Sequence, residues 1–329
     1  MNNISHSPYQ IAAWFQSCNR SWNQFWFSNR DSLTLAIIRI LTGTIVIYSH
    51  LIWCTGGLIF LSGDGLIPSE YRNQLFGTAF AWSLFDWVDP VQFWWIHWVG
   101  IAIVIMFTIG LWTRWTAILT AILVISYANR GMGALFGLDQ IASFLCLYLA
   151  ISNSGDSCSI DCYKQNGNWI RGSHRGTVWN NIATRFIQIH MCVVYLFAGV
   201  GKLQGETWIT GEAIWGAMAS YEYQTIDMTW LSGAMWLVAV LTLGTLVWEV
   251  GYPALIWSPL TRPVMLALAI PIHLGIGLTM GMMTFGLIML VGNLAFVEPE
   301  WFRSWWSSKQ SESLVQSTGL TQSNSNSCD

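Results

Sequence analysis

The sequence predicts an all-α integral membrane protein with about eight transmembrane helices and an N-terminal interfacial amphipathic helix. Of its 329 residues, 53% are hydrophobic and only 9% are charged, whereas about 25% are charged in a soluble domain. Tryptophan occurs 22 times, as is typical where indole rings lie at the lipid–water boundary. A series of long apolar runs completes the pattern. The shortage of charge excludes an ordinary soluble surface.

The N-terminal helix is predicted from apolar residues that recur every three or four positions. This spacing indicates a helix that lies on the membrane surface, and we assign residues 1–30 to that interfacial segment. The residues of the apolar stripe are Ile11, Trp14, Phe15, Cys18, Trp22, Phe25 and Trp26.

Eight apolar runs then follow, and a span needs about 20 mostly apolar residues. They are 33–53, 91–111, 113–128, 135–152, 184–201, 230–251, 263–279 and 281–297. The third, fifth, seventh and eighth are short, so we expect their ends in thinned or protein-lined regions. The membrane domain is assigned to 31–305. The polar, low-complexity tail at 306–329 is predicted to be disordered.

The distribution of positive charge predicts the orientation. Cytoplasmic loops of membrane proteins carry an excess of lysine and arginine. Eight spans with both termini cytoplasmic place ten cations inside and three outside, with Arg39 left within the first span. The inner ones are Arg20, Arg30, Arg114, Lys164, Arg171, Arg175, Arg185, Arg262, Arg303 and Lys309, and the outer ones are Arg72, Arg130 and Lys202.

The composition also limits the classes of partner that the protein can bind. A net charge of -3 provides no basic surface for nucleic acid, so membrane lipids are the expected surroundings. The seven cysteines lie mostly in apolar segments and do not resemble a disulfide framework. Cys158, Cys162 and His174 share a loop, but a fourth ligand is lacking, so no metal site is predicted.

Two charges within the spans form a predicted pair. Arg39 lies about two turns inside the first span, and Glu249 lies near the cytoplasmic end of the sixth. Charges within a bilayer generally face the bundle interior and are paired, and the similar depths favour an Arg39–Glu249 contact. The pair is interpreted as a structural clamp, with a snorkelling arginine or a functional role as alternatives.

Proton-exchanging groups converge in the outer half of the bundle. His50, His97, Asp139, Lys202 and His273 all fall there by depth counting, which is what a membrane-embedded active site needs. Each also has a structural interpretation: a core histidine for His50 and His97, neutralisation of Lys202 or Arg130 for Asp139, and a helix–helix hydrogen bond for His273.

Lys202 is the strongest candidate for chemistry. It follows Gly199 and Gly201, which allow backbone or ligand to approach closely. A lysine that is partly buried there is a candidate base, while a lysine that snorkels to the interface is the structural alternative.

The segment around Lys202 resembles a known family. FAGVGKLQGETWITGEAIW is similar to a membrane segment of vitamin K-dependent gamma-carboxylase and of the bacterial proteins that share its horizontally transferred transmembrane (HTTM) domain. Further matches place the resemblance over residues 30 to 305. The matching residues are Phe197, Ala198, Gly199, Val200, Lys202, Leu203, Trp208 and Gly211, and then His273, Gly281, Met282, Phe285, Met289, Pro299, Glu300, Trp301 and Arg303.

The resemblance implies a location and a chemistry. It implies a bacterial inner membrane, a quinol as lipid-soluble cofactor or substrate, and Lys202 as the base that deprotonates it. Arg130 stands near the position of the family's assisting histidine. The sequence carries no counterpart of the carboxylase's lumenal domain after the last span. We therefore do not expect carboxylation of protein glutamates.

Two functions remain open from the sequence. The first is an HTTM membrane enzyme that acts on a quinol or another lipid-soluble substrate, with Lys202 as base and His273, Arg130 and Asp139 as further site residues. The second is a non-enzymatic membrane scaffold, lipid-binding or transport component. Replacement of Lys202 by Ala separates them, because only the enzyme is expected to lose function while it folds normally.

Overall fold

The computed structural model describes residues 8–62, 65–76, 82–170 and 176–305. The predicted disordered tail at 306–329 and the loop residues Arg171, His174 and Arg175 lie outside these ranges.

Helices connected by turns and short 3-10 segments make up the described chain, and these residues contain no β-strand, so the all-α class is confirmed. The helices are α1 (Pro8–Phe27), α2 (Leu33–Trp53), α3 (Gly57–Leu61), α4 (Ser69–Phe76), α5 (Pro90–Ile109), α6 (Thr113–Arg130), α7 (Gly137–Ile151), α8 (Ile160–Asn166), α9 (Val178–Lys202), α10 (Glu206–Thr210), α11 (Ala213–Met218), α12 (Met235–Leu255), α13 (Arg262–Thr279) and α14 (Met283–Asn293).

Each predicted span coincides with one helix. These are α2, α5, α6, α7, α9, α12, α13 and α14. Five segments are long and apolar enough to cross a membrane: Leu33–Trp53, Pro90–Ile109, Val178–Lys202, Thr229–Leu255 and Arg262–Thr279. Among the others, α7 has 15 residues and α14 has 11, fewer than the roughly 20 that a full crossing takes. The chain is therefore a multi-helix membrane protein, and the count of eight spans stays a prediction.

The predicted N-terminal helix exists as α1, and its C-terminal end is fastened to α9. The amide of Asn181 donates hydrogen bonds to the carbonyls of Phe25, at 2.6 Å, and Trp26, at 2.9 Å. The Arg185 guanidinium lies 4.2 Å from the centre of the Phe25 ring. These bonds satisfy carbonyls that a helix end leaves without partners. Placement of α1 on the membrane surface remains a prediction.

Small residues allow a close helix contact between α13 and α14. A Cβ on Gly286 would lie 2.3 Å from the carbonyl oxygen of His273, so only glycine permits this approach. The turn between the two helices contains Gly281 at φ +70°, a backbone conformation that glycine adopts without strain. This packing places His273 in the interior of the bundle, where it is buried.

Four helix ends meet at one end of the bundle. His50 near the end of α2 and His97 near the start of α5 lie with ring centroids 6.3 Å apart. The Tyr127 ring, near the end of α6, is 4.2 Å from that of His50, and Asp139 at the start of α7 lines the same small cavity. The alternating direction of α2, α5, α6 and α7 agrees with the predicted order of spans.

Candidate functional site

The residue Lys202, at the end of α9, forms an ion pair with Glu249 of α12. Its Nζ lies 2.5 Å from Oε1 and 2.6 Å from Oε2 of the carboxylate. The side chain of Lys202 is 25% exposed and that of Glu249 is 9% exposed. A pair at this distance is a short, charge-assisted hydrogen bond, stronger than a bond between neutral groups. A quarter of the lysine side chain is therefore still accessible.

Gly199 allows the two helices to bring these charges together. A Cβ at this position would lie 2.8 Å from Cγ2 of Val250 and 3.2 Å from Cβ of Glu249. A larger residue would therefore push α9 away from α12. By contrast, a Cβ on Gly201 would meet nothing within 4 Å. Of the two glycines that precede Lys202 in the sequence, Gly199 is the one that packs closely against α12.

The chain beyond Lys202 turns back along α12. Trp208 of α10 places its ring centre 4.9 Å from Nζ of Lys202, a distance at which an indole face attracts a cation. Further along, the backbone N–H of Ile214 donates to Oγ1 of Thr242 at 3.3 Å. Helices α10 and α11 thus cover the first half of α12, and Lys202 lies between a carboxylate and an indole.

A chain of buried hydrogen bonds joins α9 and α12 to α13 and α14. Tyr252 donates to Oδ1 of Asn293 at 2.5 Å, and the Asn293 amide donates to the Tyr195 oxygen at 2.8 Å. The Tyr195 hydroxyl and Nε2 of His273 are 3.1 Å apart. Because Nδ1 of His273 bonds the carbonyl of Ala269 at 3.0 Å, it carries the ring hydrogen, and Nε2 accepts from Tyr195. Every member of this chain has a partner.

Lys202 and His273, two of the predicted site residues, lie on helices that are joined by a hydrogen bond. His273 bonds Tyr195, which lies on the same helix as Lys202, but the polar atoms of Lys202 and His273 bond different partners. Lys202 is held by Glu249, whereas His273 is held by Tyr195 and Ala269. His273 therefore carries the structural hydrogen bond that the sequence offered as its alternative role, beside the ion pair.

The predicted pair of Arg39 and Glu249 is not formed. Arg39 is fully buried and donates from Nη1 to the carbonyl of Ser154 and from Nη2 to that of Cys158, each at 2.5 Å. Glu249 binds Lys202 instead. Depth counting failed because it assumes that successive spans begin in one plane. From Met235, α12 runs 14 residues before Glu249, about 21 Å at 1.5 Å per residue, so the last third of α12 meets the end of α9.

Arg130 and Asp139 lie away from the ion pair. The Arg130 guanidinium donates from Nη2 to the carbonyl of Ser62, while its Nε and Nη1 have no hydrogen-bond partner within the described ranges. Asp139 accepts the backbone N–H of Phe136 at 3.2 Å and caps α7. The hydrogen bonds of these two residues go to the carbonyl of Ser62 and the N–H of Phe136, and not to Lys202. A separate ion pair joins Arg72 to Asp86 at 2.7 Å.

Sequence reasoning missed three members of this region: Tyr195, Tyr252 and Asn293. Two signals were available. Tyr195 precedes Lys202 by seven residues, two helical turns on the same face. Asn293 is a polar residue near the end of an apolar run, and such residues generally face the bundle interior.

These features define the class: a helical membrane protein whose bundle holds a lysine–glutamate pair beside a buried hydrogen-bond chain. The chain belongs to the HTTM domain family, whose model matches residues 27–301. The resemblance that the sequence predicts is thereby confirmed at the level of the family. Comparison with curated proteins and with solved structures found no match.

Proposed function

We propose that this protein is a membrane enzyme that removes a proton from a lipid-soluble substrate, a quinol or a comparable hydroxy compound, with Lys202 as the base. The observation that carries the proposal is the position of the lysine. Its Nζ forms an ion pair with Glu249 and lies next to the Trp208 ring, while a quarter of the lysine side chain stays exposed.

The ion pair offers a route to a neutral amine. A charged pair in a medium of low dielectric carries a desolvation penalty, and transfer of one proton from Nζ to Glu249 removes both charges. The two atoms are already at hydrogen-bond distance. The neutral amine then accepts the proton of a substrate hydroxyl. The ammonium that forms lies beside the new substrate oxyanion and stabilises it.

The surroundings suit an aromatic, lipid-soluble compound. Phe197 and Val200 on α9, and Leu203 just after its end, expose their side chains, so a substrate that arrives from the bilayer meets an apolar surface along this part of the chain. The Trp208 ring adds a flat face on which a quinol ring can stack. The same apolar surface supports membrane lipids as partners, and the family resemblance supports a bacterial inner membrane.

The experiment measures deprotonation directly. Purified protein in nanodiscs that contain a menaquinol is compared anaerobically with Lys202→Met, and the ultraviolet difference spectrum of quinolate against quinol is recorded. We expect a quinolate signal for the wild type and its loss in the variant. Lys164→Met, at an exposed position on α8, is the matched control. An equal quinolate signal from folded Lys202→Met would contradict the proposal.

A scaffold function is the second candidate, and a specific observation favours it. The ion pair joins α9 to α12, and the adjacent hydrogen-bond chain is fully satisfied, as expected of groups that specify helix packing. The double variant Lys202→Met with Glu249→Leu discriminates the two. If the protein is a scaffold, the double variant keeps its cellular function, because apolar residues replace the pair. If the protein is an enzyme, the double variant folds but loses its quinolate signal.

A further inference from the structure

A second group of reactive side chains lies at the ends of α2, α5 and α6. Sγ of Cys54 is 3.2 Å from Nε2 of His97. Nδ1 of the same imidazole is 2.5 Å from the hydroxyl of Tyr127. We call Cys54, His97 and Tyr127 the thiol cluster. A nucleophile, a base within hydrogen-bond reach and a third group that orients the base are the geometric signature of an activated nucleophile.

The imidazole of the thiol cluster is held in one orientation. His97 is fully buried, and its ring stacks on Phe93 at 5.6 Å with 22° between the planes. The Trp94 ring meets it edge-on at 5.6 Å. When Nδ1–H donates to the Tyr127 oxygen, the lone pair of Nε2 faces the thiol. Tyr127 is therefore a positioning residue, which sets the tautomer of the base.

We propose that the thiol cluster is a nucleophilic site at which Cys54 adds to a lipid-soluble conjugated carbonyl compound. His97 takes the thiol proton, and the sulfur forms a bond to the β-carbon while the carbon–carbon π bond breaks. The electron pair moves onto the carbonyl oxygen as an enolate. The imidazolium then returns the proton to the adduct. Nothing leaves, and no oxidant or reductant is consumed.

The backbone around Cys54 favours addition over acyl transfer. Acyl transfer needs free N–H donors for a tetrahedral oxyanion. The N–H groups of Cys54, Thr55 and Gly56 already donate to preceding carbonyls, at 3.2, 3.0 and 3.4 Å. These three N–H groups are therefore not free to bind an oxyanion. The large apolar side chains of Leu51 and Ile52 are exposed beside Cys54, so the compound that reaches the thiol is one that partitions into lipid.

A buried acceptor without a protein donor lies next to the thiol cluster, with the His50 ring 6.3 Å from that of His97 and 4.2 Å from that of Tyr127. His50 is 3% exposed, and its Nδ1 donates to the carbonyl of Val46 at 2.8 Å. Its Nε2 is therefore an acceptor, and it has no hydrogen-bond partner within the described residues. It lines a cavity of ≈ 20 Å³ beside Tyr127 and Asp139. This volume holds about one water molecule, so the donor that this nitrogen can bind is a water or a single hydroxyl group.

The proposal is independent of the Lys202 site, and its test needs no natural substrate. Protein in nanodiscs is treated at neutral pH with N-ethylmaleimide, itself a conjugated carbonyl compound, and labelling of each cysteine is followed by peptide mass spectrometry. Cys18 is an internal reference because it is exposed, whereas Cys54 is only partly so. We expect Cys54 to react at least ~10-fold faster, a small part of what a positioned base supplies. A charged, membrane-impermeant maleimide should lower this ratio.

Variants test the role of the imidazole. His97→Gln should slow the labelling of Cys54 to the rate of Cys18 or below, and Tyr127→Phe should slow it less. The matched control is His190→Gln, because His190 also bonds a tyrosine, Tyr148 at 3.1 Å, on other helices than those of the thiol cluster. We expect that variant to leave the Cys54 rate unchanged.

Two results would overturn the proposal. The first is a wild-type Cys54 that reacts no faster than Cys18. The second is an unchanged Cys54 rate in His97→Gln that still elutes as a folded protein. If His97→Gln does not fold, the wild-type comparison and Tyr127→Phe decide the matter.

Discussion

The ammonium of Lys202 lies within 2.6 Å of both carboxylate oxygens of Glu249 and links the end of α9 to the last third of α12. The link is largely withdrawn from solvent, with the carboxylate 9% exposed. Removal of one partner therefore leaves the other charge buried without compensation.

The ion pair should be strongly coupled. Glu249→Leu alone is expected to destabilise the protein by roughly 3–5 kcal/mol, whereas the double variant with Lys202→Met should be near neutral. Thermal unfolding in detergent measures both, with Lys164→Met as the exposed control. Additive losses in the double variant would show that the two side chains do not stabilise each other.

Arg39 should contribute to stability through carbonyls rather than through a carboxylate. Loss of each hydrogen bond from a charged donor costs roughly 1.5–3 kcal/mol, and Arg39→Met removes the bonds to Ser154 and Cys158. Arg39→Lys should be intermediate, because one ammonium lacks the fork that reaches two carbonyls. The midpoints of thermal unfolding of the wild type, Arg39→Lys and Arg39→Met measure this order of stability. The control, Arg20→Met, removes an exposed charge on α1 and is expected to change little.

Gly286 should tolerate no side chain. Alanine there would put a Cβ 2.3 Å from a backbone carbonyl, and overpacking of this kind costs roughly 1–3 kcal/mol. Gly275 on the neighbouring helix is the matched control, because a Cβ there meets nothing within 4 Å. Gly275→Ala should instead stabilise by about 0.5–1 kcal/mol through helix propensity. Equal midpoints for the two variants would contradict the close contact of α13 with α14.

The orientation in the membrane is predicted from the cation asymmetry. A cysteine introduced at Glu212, in a background without the native cysteines, should react with an impermeant maleimide added from outside the cytoplasm. A cysteine at Lys164 should react only after the membrane is opened. Labelling of the Glu212 position solely from the cytoplasmic side would reverse the topology and remove the prediction of cytoplasmic termini.

Several features follow from local sequence alone. Apolar runs place the eight helices, since a run that cannot meet water must satisfy its backbone internally. The stripe from Ile11 to Trp26 predicts α1. The glycines before Lys202 mark a close approach, although the sequence does not distinguish Gly199, which packs against α12, from Gly201, which packs against nothing.

By itself, the sequence determined the all-helical membrane class and the family, because these depend on composition, periodicity and local motifs, and it selected Lys202 as a candidate site residue. The partners of the buried charges were decided only by the tertiary structure. The relative heights of α9 and α12 determine that Glu249 meets Lys202 and not Arg39. The ends of α2, α5 and α6 likewise bring Cys54 to His97 and Tyr127, residues 43 and 30 positions apart along the chain. Such contacts depend on the position of each helix along the axis of the bundle, and no local sequence pattern specifies that position.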